Sequence, residues 1–167
     1  MRFVVLAFSV LATACTGTAP SSPTAPSSMA FGTGATEARR GSQLPIRGNL
    51  VATETVAGAF HRLTGSGEAT HLGRFTVVSE FNVIPPPLST ASGTAVWSAA
   101  NGDNLFTTTT GQAVIAFPLA TIVETHTITG GTGRFESTTG SILVKRSLSL
   151  TTLQSSASLT GTMNLGH

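Results

Sequence analysis

From residue 43 to its C-terminus this chain alternates apolar and polar residues with period two, and that pattern decides what it can fold into. A strand sends successive side chains to opposite faces, so such alternation describes a half-buried β-strand. In "IRGNLVATETV" Ile46, Leu50 and Val56 share one parity, with Glu54 among them. In "ATHLGRFTVVSEFNV" Phe75, Val77, Phe81 and Val83 share one face with His71 and Ser79, while Thr70, Arg74, Thr76, Glu80 and Asn82 take the other. In "ATIVETHTIT" Ile122, Glu124, His126 and Ile128 fall together, and the opposite face is mostly Thr. "SILVKRSLSL" places Ile142, Val144, Leu148 and Leu150 with Arg146. "ASLTGTMNL" places Leu159, Met163 and Leu165 together against a Ser/Thr/Asn face.

No helical periodicity competes, and a chain rich in Thr, Ser and Gly favours strands and turns over helices. "VIPPPLST" breaks the pattern, because consecutive prolines cannot join a ladder. In "AANGDNLF" the Asn101-Gly102 pair predicts a hairpin turn whose two central residues both need positive φ. Asn101 and Asp103 offer too few oxygens in series for a calcium loop. Seven or eight such strands describe one antiparallel all-β domain over 43–167, closed as a barrel or packed as a sandwich.

Residues 1–42 have a different character. "MRFVVLAFSVLATAC" opens with Arg2 and an apolar run over 3–11, too short to span a bilayer, then Ala12, Thr13, Ala14 and Cys15. Cys15 is the only cysteine, so no intrachain disulfide forms. A cysteine after small residues resembles the lipobox of bacterial lipoproteins, although Ala12 stands where Leu is usual. That resemblance implies a signal peptide over 1–14, lipidation of Cys15 as the new N-terminus, and an exported protein held at the bacterial cell envelope. A plain secretory signal, giving a secreted or periplasmic soluble protein, is the alternative. Residues 15–42 are Ser, Thr, Pro, Ala and Gly without apolar periodicity and read as a flexible tether.

Composition removes some function classes. Only 10% of residues are charged, and no basic stripe with interleaved aromatics exists, so nucleic acid is not an expected partner. "TITGGTGRF" has three glycines but no Lys and no following helix, so a phosphate loop is excluded. Gly130, Gly131 and Gly133 instead suit a tight corner between strands, with Phe135 plugging one end of the core and Arg134 free to meet carbonyls or an acid. Nothing matches a Gly-x-Ser-x-Gly elbow, and the domain has no cysteine nucleophile.

"ATHLGRFT", "AANGDNLF" and "ITGGTGRFESTTG", in that order, resemble a group of uncharacterised bacterial exported proteins. That group is similar to the allene oxide cyclase barrel and, more loosely, to dirigent proteins; the Gly-Gly-x-Gly-x-Phe corner matches Gly130, Gly131, Gly133 and Phe135. The resemblance spans 44–165 and implies an antiparallel eight-stranded barrel around a cavity. The cyclases use a cavity glutamate and a long apolar slot, but no motif here identifies that glutamate.

If apolar faces point inward, Glu54, His71, Glu124, His126 and Arg146 do so too. Buried charges must pair, shift their pKa or line a wet cavity. Glu124 and His126, two apart on one face, are the best acid/base candidates, with His71 and Arg146 as polar supports. His-His-Glu is a known zinc set, but structural or rim roles account for these residues better, so no metal and no cofactor are expected. Two functions stay open. One is a non-catalytic binding or structural module for a small apolar ligand or a protein partner; the other is a cyclase or isomerase acting on a lipid-like substrate in the lumen. A continuous cavity of a few hundred Å3 beside Glu124 would suit either pocket, whereas filling by Phe75, Phe81 and Leu148 would suit neither. The partners implied are a membrane through the anchor at Cys15, a small apolar ligand and another copy of the chain.

Native mass spectrometry of the exported protein should show an acyl mass on Cys15. An unmodified Cys15 in a chain cut elsewhere would remove the anchor.

Overall fold

The structure is a computed structural model and describes residues 43–166. The signal peptide over 1–14, Cys15 and the tether over 15–42 lie outside the described residues. Eight strands follow one another: β1 (Gln43–Ala57), β2 (Phe60–Ala69), β3 (Gly73–Ile84), β4 (Thr90–Ala99), β5 (Asn104–Ala116), β6 (Leu119–Gly131), β7 (Thr139–Ser149) and β8 (Gln154–Asn164). Each pairs antiparallel with the next, and β8 returns to β1 from Gln43↔Asn164 to Thr53↔Gln154, so the sheet closes as a barrel. Closure settles the choice against a sandwich and leaves no free edge.

The alternation is clearest in β6, where Ala120, Ile122, Glu124, His126 and Ile128 are buried and Thr121, Val123, Thr125, Thr127 and Thr129 are exposed. The lumen is thus largely apolar and the outer wall rich in hydroxyls. Barrels that span membranes reverse this arrangement, with an apolar band outside.

The two ends differ. At one end lie the loops over 70–72, 100–103 and 132–138, together with the start of β1. Here β6 runs into a short 3-10 turn, Gly133–Phe135, before β7. A Cβ on Gly131 would collide with the Asn104 carbonyl and the Phe135 side chain, so only glycine fits. Gly133 takes φ +54°. The corner drives Phe135 into the lumen at 1% exposure, among core residues that include Leu72, Leu105 and Met163. Burying a Phe side chain this fully contributes about 1.5–3 kcal/mol. Arg134 stays outside, where Nη2 donates to the Leu72 carbonyl (3.3 Å) and Nε lies 3.7 Å from Asp103 Oδ2. This end is closed.

The hairpin over 100–103 differs from the expected turn. Only Gly102 has positive φ (91°); Asn101 instead accepts the Asp103 N–H through Oδ1 (3.3 Å) and donates to Asp103 Oδ2 (2.7 Å). The side chain stabilises the loop, so the backbone of Asn101 need not enter the left-handed region. At the other end the loops over 58–59, 85–89, 117–118 and 150–153 ring an open mouth.

Candidate functional site

The large apolar cluster containing Phe75, Trp97 and Phe135 fills the closed half of the lumen and extends along one wall to Phe81, Val83 and Ala91 at the mouth. A small one, Ala120, Ile122 and Leu148, sits separately in the mouth half. Polar residues account for the interruption. Glu54, Glu124, His126 and Arg146 are all inward and no more than 6% exposed.

Arg146 organises this layer. Its Nη1 donates to Glu54 Oε2 (2.6 Å) and its Nη2 to Glu124 Oε1 (2.9 Å). Glu124 on β6 lies diagonal to Arg146 on β7, since Arg146 faces Ile122 in the ladder. Glu54 lies on β1, beyond β8, so that bond passes over Ala157 and Ser155, the small residues of β8 that leave it room. Burial raises the Glu124 carboxyl pKa, but the neighbouring His126 and Arg146 outweigh it and hold the group below its ordinary value. Burial likewise lowers Arg146, and the charges of Glu124 and Glu54 more than reverse that. Two carboxylates against one guanidinium leave the triad one negative charge in excess. The third guanidinium donor, Nε, is buried and has no partner.

His61 on β2 joins from the mouth side, its Nδ1 2.5 Å from Glu54 Oε1 and its ring against Phe81. Donation from Nδ1–H to the carboxylate leaves Nε2 as an acceptor, a tautomer assigned from the network. His126 lies on the closed side. Its Nδ1 meets the hydroxyls of Thr109 (3.0 Å) and Thr107 (3.2 Å), and its ring stands edge-on to Trp97. Trp97 Nε1 donates to Thr107 (3.2 Å). The His126 Nε2 faces Glu124 Oε2 at 3.9 Å.

Above the triad the mouth opens into a pocket of about 120 Å3. Its walls are apolar and include Phe81, Ile84, Ala91, Ala113, Ile122 and Leu148, and its floor is Glu54, His61, Glu124 and Arg146. Below the floor a void of only about 10 Å3 lies between Trp97, Ser79, Glu124 and His126. The lumen is therefore neither a continuous slot of a few hundred Å3 nor filled throughout. Phe75 and Phe81 both belong to the large apolar cluster, and Phe81 and Leu148 also form pocket walls.

His71 does not reach this site. It is exposed in the β2–β3 turn at the closed end, with φ +65°. β3 begins only at Gly73, so His71 falls in a turn where alternation has no meaning. Val56, expected inward, is 48% exposed at the mouth. The sequence reading also missed His61, although it shares parity with the buried Leu63; Gly65 and Gly67 mask the alternation of β2. Thr107 and Thr109 are buried within four consecutive threonines, which give no contrast between faces. Among the described residues no three His, Cys, Asp or Glu are grouped to hold a metal ion. Arg146 occupies the space between the two carboxylates.

No family model, curated protein or solved structure matches this chain, so its functional reading rests on geometry.

Removing one partner of a buried ion network leaves uncompensated charge. Arg146→Met should therefore destabilise the barrel by about 3–5 kcal/mol in denaturant unfolding at pH 7. Its pH dependence should also change. In the parent, the folded Glu124 pKa lies below the unfolded value, so its contribution is complete above about 4.5 and lost on acidification through the folded value. Without Arg146 the burial of Glu124 is opposed by His126 alone, so its carboxyl pKa should rise and acidification should stabilise the variant relative to the parent. Equal stability of the two proteins at pH 7 would contradict the assignment.

Proposed function

We propose that the barrel is a binding module for a small, neutral, mainly apolar molecule bearing one hydroxyl or carbonyl group. One observation carries this: an apolar pocket, open at the mouth, ends on a buried charged floor. Its capacity of about 120 Å3 is somewhat below the cavity of about 150 Å3 that holds benzene, so it suits a single small ring whose far edge protrudes through the open mouth. The unpartnered Nε–H of Arg146 is a donor awaiting an acceptor, and the Nε2 of His61 is an acceptor. A hydroxyl proton can meet the second, and a ligand oxygen would meet the first only where the side chains that bury it move aside. The excess negative charge of the triad opposes a carboxylate ligand, since like charges at low dielectric repel strongly. On this reading an acylated Cys15 and the tether over 15–42 carry the module at the cell envelope.

A cyclase- or isomerase-type activity is the second reading, and the Glu54–His61 pair favours it. A carboxylate orienting an imidazole whose other nitrogen is free is the arrangement of a general base. His61 would then act in place of His126, which does not line the pocket.

Titration with cyclohexanol, followed by backbone amide shifts, should perturb the signals of His61, Phe81 and Ile122. Cyclohexanecarboxylate should bind at least tenfold more weakly, a penalty of about 1.4 kcal/mol or more. Ala113→Phe, which fills the pocket from its wall, should abolish binding and leave the fold intact. Equal binding of the alcohol and the anion would refute the charge argument, and binding undiminished by Ala113→Phe would place the ligand elsewhere.

A further inference from the structure

The mouth of the barrel has a composition that the pocket alone does not require. The four loops around it, over 58–59, 85–89, 117–118 and 150–153, contain no charged residue. Their polar side chains are only Ser89, Thr151 and Thr152. Large apolar side chains stand out from them and from the adjoining strand ends. Phe117 is 78% exposed, Leu88 59% and Ile84 53%, and Phe60, Ile115 and Leu119 are also exposed. Phe60 and Phe117 belong to different hairpins, β1–β2 and β5–β6, so the apolar surface is distributed around the opening.

The closed end is the opposite. Asp103, Arg134 and Glu136 lie in its loops, and Arg47, Glu68 and Arg74 lie on the strands beside them. The nearest exposed charges to the mouth, Arg62 and Glu80, are turned to the outer wall and to each other (3.5 Å). A protein-docking surface is enriched in Arg, Met, Tyr, Trp and Phe and carries a polar rim. This collar has Phe but no Arg, Met, Tyr or Trp, and its loops offer only three hydroxyls. Exposed Phe and Leu without charge suit the boundary between lipid head groups and acyl chains.

We infer that the apolar collar docks the barrel, mouth first, onto a lipid bilayer. The chain leading into the domain permits that orientation. It enters β1 at Gln43, at the closed end. Residues 15–42 can span up to about 90 Å at about 3.3 Å per residue, while the 15 residues of β1 span at most about 50 Å. A membrane anchor at Cys15 and a collar on the same membrane are therefore compatible. Docking places the pocket opening against the lipid phase, where an apolar ligand would be concentrated. The docking itself does not depend on the ligand reading.

The test uses the full chain carrying Cys15→Ser, which cannot be acylated, and neutral phosphatidylcholine vesicles. It should co-sediment with the vesicles, with little effect of salt, because no charge contributes. Phe60→Ser with Phe117→Ser should weaken partitioning at least tenfold; both side chains are exposed, so circular dichroism and melting should be unchanged. A bimane on Leu88→Cys should shift to the blue on vesicles, and one on Asn101→Cys should not. Partitioning that ignores the double substitution, as insertion by residues 1–14 would give, overturns the inference. So does self-association in sedimentation velocity that the double substitution abolishes without any vesicle binding, which would assign the collar to a second copy of the chain. Cyclohexanol binding by the double variant in the absence of vesicles separates a failure of docking from a failure of the pocket.

Discussion

The guanidinium of Arg146, held between the carboxylates of Glu54 and Glu124, is the interaction around which this barrel is arranged. Three charges inside an eight-stranded lumen lose their hydration, and only close mutual pairing offsets that loss. The pairing requires inward positions on β1, β6 and β7, and small residues on β8 so that the side chains can meet across it. It also divides the core. On the closed side packing is continuous from Trp97 to Phe135, and on the β6–β7 side of the mouth Ala120, Ile122 and Leu148 form a separate cluster.

That division gives the two halves different tasks. The closed half supplies the packed interior that holds the fold. The open half leaves a pocket whose depth is limited by the triad and whose polarity is confined to its floor. Buried ion networks are often no more stabilising than apolar residues of the same volume. Retaining one beneath an open pocket is easier to understand through what it offers a ligand. The His61 imidazole propped by Glu54 lines the pocket, and a donor of Arg146 lies unpartnered behind the floor. The uncharged mouth and the charged closed end extend the same polarity to the whole domain.

Period two carried most of the fold in the sequence. It placed Glu54, Glu124, His126 and Arg146 inward, and all four are buried. The glycine corner was also legible, because a collision at Gly131 and a positive φ at Gly133 are demands of the backbone. Parity could not show how far residues on different strands lie from one another around the lumen. The bridge from Arg146 to Glu54 depends on the width of β8 and was invisible. His71 was misplaced because alternation stops where a strand stops. His61 was hidden by glycines, and the hydroxyl partners of His126 by a run of threonine. The size of the pocket depends on how Phe75, Phe81 and Trp97 pack, which alternation does not encode.

On the proposed reading the triad serves recognition more than stability. Replacing it whole tests this most directly: Glu54→Leu, Glu124→Leu and Arg146→Met together, measured by denaturant unfolding and cyclohexanol titration. The predicted result is a folded barrel as stable as the parent or more so, by up to about 4 kcal/mol, that no longer distinguishes the alcohol from the carboxylate. A triple variant destabilised as severely as Arg146→Met alone would show instead that the fold itself requires the charges.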